Sequence, residues 1–125
     1  MKRKIVKTHL KGDKAPIEWA TMGNDVLYTA HIPIREDGSI ETGDITAQAK
    51  LTLDNLKRTV EAAGGTMDDV TQVLVYLPEK SDFSGMNDVY RTFFKQPYPN
   101  RATVIAGLMV EGARIEIVAY AHIGN

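Results

Sequence analysis

The sequence contains no cysteine, which removes disulfide frameworks, thiolate zinc sites, CxxC redox chemistry and cysteine nucleophiles together. That composition fits a reducing compartment, so a cytoplasmic setting is expected. A surplus of one charge is also missing: 15 Lys and Arg against 16 Asp and Glu leave a formal net charge of −1. With no excess of cations to neutralise a run of phosphates, nucleic acid is not an expected partner. Long apolar runs are absent. Val73 to Leu77 and Ile117 to Ala119 are strand-sized, whereas a membrane span takes about 20 apolar residues. The start of the chain, Met1-Lys2-Arg3-Lys4-Ile5-Val6-Lys7, is basic, but Lys7, His9 and Lys11 interrupt it before an apolar export segment forms. Neither export nor a membrane is expected.

Catalytic motifs are scarce too. No GxGxxG, GxxxxGK[ST] or GxSxG occurs, which weakens nucleotide-loop and serine-hydrolase readings. His9, His31 and His122 lack the i, i+4 or HxH spacing of a metal site. They fit strand surfaces or interfaces better than a ligand set, and no metal is expected.

What is present describes one folded domain spanning residues 1–125, with 43% hydrophobic and 25% charged residues. Asp25 to Ile34 is rich in β-branched and aromatic residues and runs into the turn signal Glu36-Asp37-Gly38-Ser39. Ala49, Leu53, Leu56, Val60 and Ala63 recur at helical spacing, with Asp44 or Thr46 as N-cap and Gly64-Gly65 at the far end. Val70 to Leu77 predicts a buried strand stopped by Pro78. Phe83, Met86, Tyr90 and Phe93 predict a second helix capped by Ser81 and ended by Pro97 and Pro99. Strands at Arg101 to Ala106 and Ala113 to Ile123 close the chain. Two helices on one face of a mixed sheet, an α+β fold, is the economical arrangement.

Glu116 breaks the apolar run Ile115-Glu116-Ile117-Val118-Ala119-Tyr120-Ala121, where desolvation would raise its pKa. Strand alternation sets Arg114, Glu116, Val118 and Tyr120 on one face and Ile115, Ile117, Ala119 and Ala121 on the core face. If the last two strands form an antiparallel hairpin, Arg101 falls opposite a position near 116 to 118. Arg101, Thr103 and Glu116 would then converge on a small carboxylic acid, the guanidinium holding the carboxylate as a planar fork. Spacing alone favours the plainer reading, an Arg101–Glu116 or Arg114–Glu116 ion pair on an exposed sheet face. Asn87 lies near the apolar stripe of the second helix, where a satisfied polar group is equally at home. Thr29 is a small hydroxyl in a strand that otherwise reads as core, and threonine is common there.

These segments together resemble the RidA/YjgF family of imine and enamine deaminases, over essentially the whole chain. The matching residues are Leu53-Asp54-Asn55-Leu56 with Val60-Glu61-Ala62-Ala63-Gly64, Asp82-Phe83, Met86-Asn87 with Tyr90, and Phe93-Phe94. Tyr98-Pro99-Asn100-Arg101-Ala102-Thr103-Val104 and Ile115-Glu116-Ile117 complete the set. The specific part is Pro-x-Arg followed fifteen residues later by the Glu of an IEI strand. The resemblance implies a chorismate-mutase-like α+β fold, a homotrimer with ligand clefts between subunits, and no cofactor. It implies that Arg101 binds the substrate carboxylate, that Glu116 orients water or relays protons, and that Asn87 and Thr29 line the cleft.

Three departures bear on substrate choice. Ala15-Pro16-Ile17-Glu18-Trp19 replaces a Gly-Pro-Tyr-type segment, Thr103 replaces a common cysteine, and Ala30-His31 replaces Gly-Gln. The expected reaction is hydrolytic deamination of a small 2-imino or enamine carboxylate to the 2-keto acid and ammonia, with backbone groups near Thr103 and Ala30 completing the pocket. The rival expectation is a non-enzymatic keto-acid binding or regulatory protein using the same cleft.

Overall fold

The computed structural model describes residues 2–12 and 14–124. Its strands are β1 (Lys4–Ile5), β2 (Ala20–Gly23), β3 (Val26–His31), β4 (Val70–Leu77), β5 (Asn100–Ile105) and β6 (Glu116–His122). The helices are α1 (Ile45–Ala62) and α2 (Phe83–Phe93). Among the described residues, no helix is long and apolar enough to cross a membrane.

Asp44 starts α1 by accepting a hydrogen bond from the Ala47 amide at 3.0 Å, as an N-cap side chain does for an otherwise unpaired N–H. Gly64 ends it at φ +94°, a conformation that a Cβ disfavours. Between the caps α1 buries Ala49, Leu53, Leu56 and Val60. They pack on Leu27, Val73, Val75, Ile117, Ala119 and Ala121 of the sheet. Each such leucine contributes about 1.5–3 kcal/mol of burial energy.

The second helix departs from expectation at its start. Ser81 does not cap it; Ser81 lies in a short 3-10 turn, Lys80–Asp82, and Asp82 occupies the cap position without bonding the helix backbone. The Asp82 carboxylate, almost fully buried, is committed elsewhere. It accepts from Arg114 Nε at 2.9 Å and Nη2 at 2.7 Å. That planar pair joins the start of α2 to the segment leading into β6.

The sheet has the order β1-β2-β3-β6-β4-β5. This overturns the expected hairpin of the last two strands. β6 lies between β3 and β4, antiparallel to both, and β5 is the edge strand, parallel to β4. The chain runs β4, α2, β5, the crossover that parallel neighbours require. Arg101 pairs with Val73, and Val73 with Ala119, while Glu116 pairs with Tyr76. Because Val73 and Tyr76 point to opposite faces of β4, Arg101 and Glu116 do too. Both helices cover the core face, so α+β with two helices on one side of a mixed sheet describes the protein.

Candidate functional site

Arg101 sits on the edge strand with its side chain turned toward α2. Its guanidinium carbon lies 4.6 Å from the Tyr90 ring centroid and 5.8 Å from that of Phe83. Nη1 approaches Met86 Sδ at 3.9 Å. Among the described residues no carboxylate forms an ion pair with it. A half-buried guanidinium resting on aromatic faces is held by cation–π attraction, yet its N–H fork remains available to an anion.

The fork borders a cleft of about 290 Å³ lined by Asn87, Tyr90, Arg91, Tyr98, Pro99 and Arg101. Asn87 and Arg101 thus line one cleft. Tyr90, Tyr98 and Arg91 are additions; the helical periodicity marked Tyr90 only as core. Its hydroxyl is buried with no hydrogen-bond partner among the described residues, and burial pushes its pKa up.

Thr103 shares the face of Arg101, pairing with Val75, but lines a neighbouring cleft with Leu77, Lys80, Phe83, Val104 and Ile105. Glu116 projects from the open face of the sheet. It is half-buried, and desolvation raises its pKa above the ordinary carboxylate value. Its expected ion pairs do not form, since Arg114 belongs to Asp82. Ala30 lies opposite Val118 on that open face, one row from Glu116. A single chain therefore divides the expected residues between two faces: Arg101, Asn87 and Thr103 on one, Glu116 and Ala30 on the other.

Thr29 faces the core and lies outside both clefts. Its hydroxyl donates to the Trp19 carbonyl at 2.5 Å and meets His31 Nε2 at 2.9 Å. With the single hydroxyl proton so committed, His31 Nε2 is the donor to Thr29, and Nδ1 has no partner among the described residues. His31 is fully buried and stacks on Trp19 at 6.2 Å, so it is a core residue rather than the strand-surface or interface histidine expected. Burial lowers its pKa to about 3, with His9 adding to the effect. Nearby, Asn55 Nδ2 donates to the carbonyls of Ile32 and Ile34, and its Oδ1 accepts from His9 Nε2 at 2.9 Å. No three potential metal-ligating side chains cluster among the described residues.

A family profile described as endoribonuclease L-PSP matches residues 15–123. The chain belongs to this family, as the resemblance to RidA/YjgF proteins implied. A RutC family protein of Pyrococcus abyssi is 37% identical over 102 residues, covering 81% of this chain and 80% of its own. One from Pyrococcus horikoshii is 39% identical over 101 residues, covering 80% of each. Among solved structures, E. coli TdcF with bound serine is similar at TM-score 0.88 and 30% identity, over 97% of this chain and 99% of that one. RidA from an Antarctic Psychrobacter is similar at TM-score 0.89 and 27% identity, over 96% and 99%.

Proposed function

We propose that this protein hydrolyses 2-imino or enamine carboxylates to the 2-oxo acid and ammonia. One observation carries the reading: the Arg101 fork, with no acidic partner among the described residues, borders a cleft sized for a small molecule. Serine, bound in the similar TdcF structure, carries the same α-carboxylate that a guanidinium grips with two parallel hydrogen bonds.

In the proposed step, Arg101 holds the carboxylate while water adds to the C=N carbon. An enamine first becomes the imine by moving a proton from its nitrogen to its β-carbon. The attacking water gives one proton to the nitrogen as its oxygen bonds the carbon; the C–N bond of the resulting carbinolamine then breaks as the hydroxyl gives up the second, so both water protons leave on ammonia and the oxygen stays as the 2-oxo group. Glu116 accepts and returns these protons. Since Arg101 and Glu116 of one chain point to opposite sheet faces, the acid at a given Arg101 comes from a neighbouring copy, together with Ala30 of the same face. A homotrimer with clefts between subunits meets this requirement. It also covers apolar side chains that one chain leaves exposed on the open face of the sheet, Tyr28 among them. The substrate is an activated electrophile, so a sparse site suffices.

Ammonia release from imines generated in situ by an amino-acid oxidase tests this. Arg101→Ala should abolish the acceleration while leaving circular dichroism unchanged; an unchanged rate in that variant would sink the reading. The separation of Glu116 from Arg101 within a chain favours one rival, non-enzymatic binding of small carboxylates. Tight 2-oxo acid binding without imine turnover would establish it. The net charge of −1 weighs against the nuclease activity in the profile's description, since no excess of cations is there to bind a phosphate backbone.

A further inference from the structure

The cleft next to Arg101 has a volume of about 290 Å³ and walls from Leu77, Lys80, Phe83, Thr103, Val104 and Ile105. Apart from the Lys80 ammonium and the Thr103 hydroxyl these walls are carbon. Three of them are apolar residues that the fold leaves in solvent: Phe83 is 44%, Val104 46% and Ile105 62% exposed. Phe83 stands between the Arg101 guanidinium and this cleft: its ring centroid lies 5.8 Å from the guanidinium carbon, and the same ring lines the cleft.

Strand geometry fixes the direction from one to the other. Arg101, Thr103 and Ile105 pair with Val73, Val75 and Leu77 and so share a face, spaced roughly 6.6 Å apart along the strand. A 2-imino acid gripped by Arg101 carries its side chain on the carbon next to the carboxylate. A side chain running along β5 from Arg101 therefore passes Thr103 and meets Phe83 and Ile105. The room is ample, because a cavity of about 150 Å³ already accepts benzene.

We propose that this cleft is the side-chain subsite, and that the preferred substrates are 2-imino acids with branched or aromatic apolar side chains rather than the smallest members. The inference rests on Arg101 as the carboxylate anchor. Apolar pockets discriminate by about 10- to 200-fold per methylene, so the preference is large enough to measure.

The test uses 2-oxo acids as stable analogues, titrated calorimetrically into the intact protein, beside turnover of imines generated from alanine, leucine and phenylalanine. 4-Methyl-2-oxopentanoate and phenylpyruvate should bind at least about 10-fold more tightly than pyruvate. Ile105→Glu, and the uncharged Ile105→Ser, should narrow that ratio several-fold; the side chain is exposed, so the core is untouched. A flat series overturns the proposal. So does tighter binding of 2-oxoglutarate than of 4-methyl-2-oxopentanoate, which would make the cleft an anion site served by Lys80. Loss of oligomer in Ile105→Glu with the ratio unchanged would assign the surface to a subunit contact instead. Graded binding without imine turnover would remove the deaminase reading and keep the subsite, whereas turnover with flat binding would do the reverse. Failure of every 2-oxo acid to bind overturns both.

Discussion

The Arg101 guanidinium lies 4.6 Å above the Tyr90 ring and has no carboxylate partner among the described residues. A cation held by a ring face spends only one in-plane N–H, on Met86 Sδ at 3.9 Å, in contrast to Arg114, whose fork is occupied by Asp82.

Arg101→Lys keeps the charge but loses both the stacking plane and the paired donors. Its affinity for 2-oxo acids should fall by about 10- to 100-fold, the worth of a charge-assisted hydrogen bond. Calorimetric titration checks this; an affinity equal to wild type would reduce Arg101 to a point charge.

Glu116→Gln should lower turnover by about 100- to 10,000-fold while leaving 2-oxo acid affinity within a few-fold. Burial raises the Glu116 pKa, so wild-type turnover should decline as pH falls through a value above that of an ordinary glutamate. The stability effect has the opposite sense. The fold favours the protonated acid, and that contribution is full below the unfolded pKa and lost as pH rises through the raised one. At neutral pH the glutamine variant should therefore be no less stable to urea than wild type.

His31 predicts acid lability. Its folded pKa of about 3 lies below the ordinary 6.5, so the unfolded chain binds the proton first as pH falls. Stability present above 6.5 is lost from there down toward 3, by at most about 1.4 kcal/mol per pH unit. His31→Gln removes the titration and should flatten the fall in urea midpoint between pH 7 and pH 5. An equal fall in both proteins would place the acid sensitivity elsewhere.

Asp82→Asn leaves the Arg114 fork without its charged partner and should destabilise the protein by about 1.5–3 kcal/mol. Chemical denaturation checks the loss; because the pair joins the start of α2 to the approach to β6, looser packing of Phe83 should also appear, in calorimetric titration, as an altered apolar-to-small ratio in 2-oxo acid binding.

Much of the fold was legible. The apolar repeat of α1, its Asp44 cap and Gly64 stop, and the Val70–Leu77 strand follow from local periodicity and backbone preferences, which neighbours in sequence decide. Sheet order does not. The last two strands follow one another in the chain, which suits a hairpin, but residues 106–115 between them are longer than a hairpin loop; β5 is paired in parallel with β4 after the α2 crossover, and β6 fills the gap between β3 and β4. That single long-range choice moved Arg101 from beside Glu116 to the opposite face. β2 was missed because Ala20-Thr21-Met22-Gly23 has no alternation to read. Tyr90 was read as core because its spacing is that of core; only the contact with Arg101 shows its second role. His31 escaped because a buried histidine and an exposed one look alike in a strand.

The edge position of β5 has a consequence for how occupancy is detected. A strand hydrogen-bonded on one side only offers alternate amides to solvent, and those exchange with deuterium far faster than amides in β4 or β6. The strand that carries Arg101, Thr103 and Ile105 is thus a built-in reporter. Slowed exchange along residues 100–105 on adding a 2-oxo acid would register the ligand, and slowing that depends on protein concentration would register the neighbouring subunit.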